Sequence, residues 1–154
     1  MKIVVNKCFG GFSLSAMAVK RIAELQGKPA YFFKREYEGL KPSYIPVDIE
    51  DCKKTVFFSA FTVPNPNEYL TNKDWHEMTK EEKDEQGKKY DEIYLSDRPE
   101  NRTDKFLLRV VKELGKEANG ACADLKIIKI PDDVDWEIDE YDGMETVQEK
   151  HRSW

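Results

Sequence analysis

The chain has 154 residues, a formal net charge of −5 and no long apolar run, and these properties already exclude several classes of protein. A helix that crosses a bilayer needs about 20 consecutive apolar residues, so we expect no membrane-spanning segment and no membrane partner. A mildly acidic chain without a basic stripe also argues against a dedicated nucleic-acid binder, because such proteins neutralise phosphates with clustered Lys and Arg. The length suits a single domain, 1–154, with its own hydrophobic core.

The first third of the sequence predicts a strand, a loop, a helix and a second strand. The β-branched residues 3–5 suit a strand. From Leu14 to Leu25 apolar residues recur every three or four positions, which predicts a helix that Gly27 would end. The aromatic run that follows Pro29 resumes as a strand, so this unit predicts two parallel strands joined by a right-handed crossover.

The middle of the chain changes character twice. Residues 37–46 contain a glycine and two prolines and are interpreted as a loop, whereas 55–61 is a nearly continuous apolar run typical of a central strand. Residues 64–102 are mostly polar and are interpreted as an excursion from the core that adds little to it. Within the excursion, Thr79 and Glu82 form a capping-box pattern that predicts a polar helix over 80–90.

The last third predicts another amphipathic helix, two strands and a final short helix. The amphipathic helix begins at Thr103 or Asp104, and the strands cover 125–130 and the alternating residues 134–138. After a turn at Asp142-Gly143, the spacing of Met144, Val147 and His151 predicts the final helix. We expect Trp154 to be mostly buried. Together these elements predict a single α/β domain, with a mixed sheet, packed helices and a polar helical excursion.

The loop from Asn6 to Ser15 is the first candidate binding site. A loop that joins a strand to a helix presents backbone N–H groups and the positive end of the helix dipole to an anion. Glycines would let a phosphate approach the backbone, and neighbouring side chains would add donors. The site residues predicted in this loop are Asn6, Lys7, Gly10, Gly11, Phe12, Ser13 and Ser15. The alternative is that the glycines only form a turn, that a serine only caps the helix, and that Phe9 and Phe12 belong to the core.

Two further pairs of residues are candidates for the same ligand. Arg102 and Asp104 stand at the start of the second strong helix, where a planar guanidinium would suit a phosphate or a carboxylate. The alternative for Arg102 is a surface ion pair with Glu100 or Asp104. His151 and Arg152 are the other pair, and the alternative for His151 is a packed or capping role.

Metal and thiol chemistry are not expected. The cysteines are three in number and contain no Cys-X-X-Cys pair, so we predict a reduced protein with no metal and no cofactor. The chain starts without the apolar stretch of a signal peptide, which favours the cytoplasm. The acidic residues from Asp132 to Glu145 lack the spacing of a calcium-binding loop and are interpreted as a solvated strand face and turn.

Three stretches form a combined pattern: NKCFGGFSLS at 6–15, ADLKIIKIPD at 123–132, and EYDGME at 140–145 with HRSW at 151–154. This pattern resembles a family of short, uncharacterised proteins encoded by bacteriophages and prophages. The resemblance implies a phage accessory protein that acts in the host cytoplasm, outside the major structural parts of the virion. By analogy with other small phage proteins, it also favours binding of host proteins or sequestration of nucleotide signals used in antiviral defence.

Three function hypotheses follow. The first is a non-catalytic protein that binds a small anionic, nucleotide-like ligand at the Asn6 to Ser15 loop. The second is an enzyme that acts on a nucleotide, either a hydrolase or a glycosyl transferase, with Asp104 or Asp142 as its carboxylate. The third is an inhibitor of a host protein, which would dock through the aromatic residues of the excursion, Trp75, Tyr90 and Tyr94. A homo-oligomer is a further partner hypothesis.

Overall fold

The computed structural model of this protein describes residues 1–39, 41–53, 57–70 and 73–150. The helices are α1 (Ala16–Leu25), α2 (Ile49–Cys52), α3 (Pro66–Tyr69), α4 (Lys80–Ile93) and α5 (Lys105–Leu114). The strands are β1 (Lys2–Asn6), β2 (Tyr31–Glu38), β3 (Lys41–Pro46), β4 (Ser59–Phe61), β5 (Leu125–Lys129), β6 (Trp136–Tyr141) and β7 (Met144–Glu149). Helices and sheets in one domain confirm the α/β class. The predictions made for 55–56 and for His151, Arg152 and Trp154 fall outside the described residues.

The strands form three small antiparallel sheets. β1 pairs with β5, β2 lies between β3 and β4, and β6 pairs with β7. The predicted parallel pairing of β1 with the strand after α1 is therefore wrong. The helix α1 carries the chain from one sheet to another, so β1 takes its partner from the last third of the chain.

Helices α1 and α5 confirm the sequence predictions, and α5 packs on the β1–β5 sheet. The α1 helix is capped by Ser15 and ends before Gly27, whose φ of 71° supplies the left-handed residue that terminates a helix. The α5 helix begins after Asp104, whose carboxylate accepts hydrogen bonds from two N–H groups of the first turn. The two helices contact each other, and α5 also contacts β1 and β5. The larger core cluster formed here includes Val4, Leu14, Val19, Leu107, Val110 and Leu125.

The excursion completes a second core cluster. Its helix α4 has the predicted capping box between Thr79 and Glu82 and extends to Ile93. The prediction of a loop over 37–46 is wrong, because Tyr37 and Glu38 end β2 and Lys41–Pro46 forms β3, which pairs with it. The excursion adds Leu95 to the margin of the larger cluster and supplies much of the second one, which contains Phe33, Tyr44, Phe61, Leu70 and Ile93, with Val63, Tyr90 and Tyr94 at its margin.

The predicted central strand at 55–61 is short and lies at a sheet edge. Of the described residues 57–61, Ser59–Phe61 pairs as a strand, and its hydrogen-bonded neighbour is β2 on one side. On the other side Phe61 forms an isolated bridge with Tyr94. The Phe57 side chain is 78% exposed. The apolar run therefore does not form a central strand. The side of β4 that faces away from β2 is covered by the excursion and not by another strand.

The predicted final helix is wrong, and Met144–Glu149 is instead the second strand of a hairpin. Asp142 has a φ of 49° and Gly143 a φ of 86°, and two consecutive positive φ values are typical of the two-residue turn that joins antiparallel strands. This turn places Tyr141 opposite Met144 and returns the chain along β6. The predicted alternating strand before the turn is confirmed.

Candidate functional site

The first half of the predicted loop is bound to the β6–β7 hairpin. The Asn6 side chain is buried, and its Nδ2 donates to the carbonyl of Gly143 at 2.7 Å while its Oδ1 accepts from the N–H of Asp124 at 2.8 Å. The Lys7 Nζ donates to the carbonyl of Glu145 at 2.9 Å. These bonds give Asn6 and Lys7 a structural task, which is to hold the hairpin against the end of β1.

A buried ion pair joins Arg102 to the same hairpin. Both terminal nitrogens of Arg102 donate to the two carboxylate oxygens of Glu145, at 2.9 and 3.0 Å, and the guanidinium lies 3.5 Å from the centre of the Phe12 ring. The Asn6 N–H donates to the same carboxylate at 2.9 Å. The alternative of a surface pair with Glu100 or Asp104 is wrong, and so is the prediction of a solvated Glu145, whose side chain is 5% exposed.

Close contacts with neighbouring parts of the chain explain why two positions of this region are occupied by glycine. A Cβ on Gly10 would lie 2.5 Å from the carbonyl oxygen of Cys122, and a Cβ on Gly143 would lie 2.2 Å from the nitrogen of Gly11. The hairpin turn occupies the position at which a phosphate was predicted to approach Gly10 and Gly11. Phe12 is buried, as the core alternative requires, whereas Phe9 is 62% exposed.

The second half of the loop, from Ser13 onward, lines a cavity of about 500 Å³, which is a size typical of small-molecule sites. Four separate segments of the chain meet at this cavity. They are represented by Ser13 and Ser15 of the loop, Phe57 and Phe58 before β4, Asp97 and Arg98 before α5, and Asn119 and Cys122 before β5. The cavity therefore forms only when these distant segments come together in the folded chain.

Helix α1 begins at this cavity and brings hydrogen-bond donors to it. Ser15 is occupied as the N-cap, since its Oγ accepts from the N–H of Ala18 at 3.2 Å and donates to a carbonyl at 2.6 Å. Ala16 and Met17 follow the cap and line the cavity. Their N–H groups have no hydrogen-bond acceptor among the described residues, and the hydroxyl of Ser13 likewise has no partner there. The positive end of the helix dipole adds to these donors.

The charges around the cavity are of both signs. Burial raises the pKa of the Asp97 carboxyl, and the neighbouring Arg98 guanidinium opposes that shift. Arg98 is exposed and forms no ion pair within the described ranges. Burial also raises the pKa of the Cys52 thiol, with Asp51 and Asp48 adding to the effect, so this cysteine stays protonated at neutral pH. The exposed Lys53 and Glu117 also line the cavity, which thus offers two cations and helix donors beside the partly buried carboxyl group of Asp97.

No protein-family model, curated protein or solved structure matches this chain. Its function is therefore inferred from the geometry of the site. No helix in the described part of the chain combines the length and apolar character that a membrane crossing requires. Within the same ranges, no group of three or more His, Cys, Asp or Glu side chains is placed to hold a metal ion.

The structure divides the predicted site residues into separate groups. Those that line the cavity are Gly10, Ser13 and Ser15. Those that surround the hairpin contact are Asn6, Lys7, Gly11, Phe12 and Arg102. Asp104 caps α5, and neither Asp104 nor Asp142, the carboxylates of the enzyme hypothesis, lines the cavity. His151 and Arg152 lie outside the described residues.

Sequence reasoning missed Asp97, Arg98 and Asn119. They stand in two irregular segments, before α5 and before β5, and no spacing in the sequence distinguishes them from other polar loop residues. The backbone shows why they meet the loop: the N–H of Leu14 donates to the carbonyl of Asp97 at 2.8 Å, and Leu14 forms an isolated bridge with Asn119. These contacts join segments that are distant in sequence, so only the folded chain reveals them.

Proposed function

We propose that this protein binds a small anionic, nucleotide-like ligand in the cavity at the start of α1. The observation that carries the proposal is the pair of N–H groups at Ala16 and Met17, which have no acceptor in the described structure and belong to residues of the cavity wall. A phosphate at this position would receive hydrogen bonds from the backbone and stabilisation from the helix dipole. The hydroxyl of Ser13 would add another donor.

The remaining walls suit the other parts of a nucleotide. Phe57 and Phe58 offer aromatic surface for a planar base, and Arg98 offers a positive charge without an ion-pair partner in the described ranges. Binding alone requires no general base and no metal. In keeping with the resemblance to phage-encoded proteins, we propose that the protein sequesters a nucleotide signal and thereby counters host defence.

The proposal is tested by calorimetric titration with GMP, AMP and inorganic phosphate. The informative variant is Ala16→Pro, which removes one N–H of the site. Proline is well tolerated at the first helical position, and Ser15, with φ −69° and ψ 161°, already has the conformation favoured before proline. We expect nucleotide affinity to fall at least about 10-fold, because a hydrogen bond to a charged group contributes roughly 1.5–3 kcal/mol.

The matched control is Lys105→Pro at the start of α5. Asp104 before it is also extended, at φ −57° and ψ 133°, but Lys105 does not line the cavity. Affinity should therefore be unchanged in this variant, with both variants checked by thermal melting. Absence of binding, or equal affinity in the two variants, would refute the proposal. Nucleotide recovered chemically altered after heating the complex would instead support the enzyme hypothesis.

A further inference from the structure

Asp97 has an unusual position for a carboxylate. It lines the cavity, and its backbone carbonyl is fixed by the N–H of Leu14 at 2.8 Å. In the described part of the chain, its carboxylate oxygens form no ion pair and accept no hydrogen bond from another residue. The opposite charge that acts on it is that of the adjacent Arg98. The Asp97 backbone N–H donates to its own carboxylate, and the remaining lone pairs of the two side-chain oxygens are available to a ligand.

A partly buried carboxylate that, among the described residues, accepts a hydrogen bond only from its own backbone N–H is unfavourable for the fold. Desolvation disfavours its charged form, which is the reason that the pKa of Asp97 is raised. Ionisable groups that lie in a cleft, and whose charged form is disfavoured by burial, are candidates for ligand recognition. A ligand that donates hydrogen bonds to this carboxylate would stabilise its charged form.

We propose that Asp97 is a specificity-determining residue, whose two carboxylate oxygens accept the paired N–H donors of a guanine base. This inference rests on the proposed function, since it assigns the base of the nucleotide in the same cavity. Guanine presents its ring N1–H and its 2-amino group side by side, and a carboxylate can accept both at once. Adenine and cytosine present an amino group beside an acceptor nitrogen, and uracil presents one N–H between two carbonyls. These bases would leave one oxygen of Asp97 without a donor.

The placement of the other groups agrees with a guanine nucleotide. The phosphate would lie at Ala16 and Met17, and the ring would contact Phe57 and Phe58. Asp97 stands on a segment that meets the loop at Leu14, so the base edge and the phosphate would be held from two adjoining walls. Arg98 remains beside the ligand to offset the charge of the phosphate.

The test compares the affinities of GMP, IMP and AMP for the unmodified protein and for the Asp97→Asn variant. IMP keeps the N1–H of GMP but lacks its 2-amino group. We expect GMP to bind at least about 10-fold more tightly than AMP, with IMP in between, because a bidentate pair discriminates between bases by roughly this amount or more. The variant should lose the preference, since its amide replaces one acceptor with a donor.

The control variant is Glu100→Gln, which removes the same charge three residues away, at an exposed side chain that does not line the cavity. It should keep the preference for GMP. Equal affinities for GMP and AMP, or a preference that survives in Asp97→Asn, would overturn the inference. If AMP and phosphate bind and Ala16→Pro weakens them, but guanine is not preferred, only this inference fails. If no nucleotide and no phosphate binds, the proposed function fails as well.

Discussion

The ion pair between Arg102 and Glu145 provides a direct test of how the hairpin is held to the domain. The substitution Glu145→Gln keeps the size of the side chain but removes its charge. In the structure this carboxylate accepts three hydrogen bonds, two from Arg102 and one from the backbone of Asn6. A glutamine side chain can accept hydrogen bonds only at its amide oxygen. Its amide nitrogen is itself a donor and would face an N–H donor of Arg102 or Asn6. The guanidinium would then be left without a counter-charge.

The expected cost follows from the burial of the pair. The side chain of Glu145 is 5% exposed and that of Arg102 is 15% exposed, so water can replace little of the lost interaction. Breaking a buried pair by removing one partner costs about 3–5 kcal/mol. Because the glutamine oxygen still accepts one bond, we expect the free energy of unfolding to fall by about 3 kcal/mol. In a domain of this length that corresponds to a decrease in Tm of roughly 6–12 °C.

The free energy of unfolding is measured by urea denaturation of Glu145→Gln, of Arg102→Met and of the double variant. The control is Glu149→Gln on the same strand, where the side chain is exposed and the change should cost less than about 0.5 kcal/mol. The double variant should be less destabilised than the sum of the single ones, because it leaves no unpaired charge. A cost for Glu145→Gln that equals that of the control would refute the burial argument.

Three further changes test other parts of the fold. Gly143→Ala places a Cβ 2.2 Å from the Gly11 nitrogen, at a residue with a φ of 86°. Urea denaturation should therefore show a free energy of unfolding lower by about 2 kcal/mol or more. The control is Gly87→Ala in the open middle of α4, where the free energy of unfolding should rise by about 0.5–1 kcal/mol. Burial raises the pKa of Asp97, so the fold is disfavoured when that carboxyl ionises. Asp97→Asn should therefore melt above the unmodified protein at neutral pH. The difference should shrink as the pH falls through the raised pKa of Asp97 and vanish below the ordinary pKa of an aspartate; a constant difference would contradict this. Deletion of 65–97 removes Leu70 and Ile93 from the second core cluster. We expect Tm, measured by circular dichroism, to fall by more than about 15 °C. An unchanged Tm would mean that the cluster contributes nothing to stability.

The local features of this protein could be predicted from its sequence. Ser15 and Asp104 cap their helices as their residue types suggest, and the capping box at Thr79 forms as predicted. The turn at Asp142-Gly143 and the helix end at Gly27 follow from the ease with which these residues adopt positive φ. Each of these depends on hydrogen bonds or dihedral angles within a few positions of the chain, so the nearby residues are sufficient to determine it.

The partners of the strands and the composition of the cavity depended on the tertiary structure. An apolar strand such as β1 pairs equally well with several others, and its pairing with β5 is decided by which side chains the helices leave to be covered. Glu145 has the same sequence surroundings as the exposed acids near it, and it is buried only because Arg102 meets it across the fold. Asp97 likewise reaches the loop through a backbone contact with Leu14. Contacts of this kind join segments far apart in sequence, and they are fixed by how whole elements pack and not by any local preference of the residues themselves.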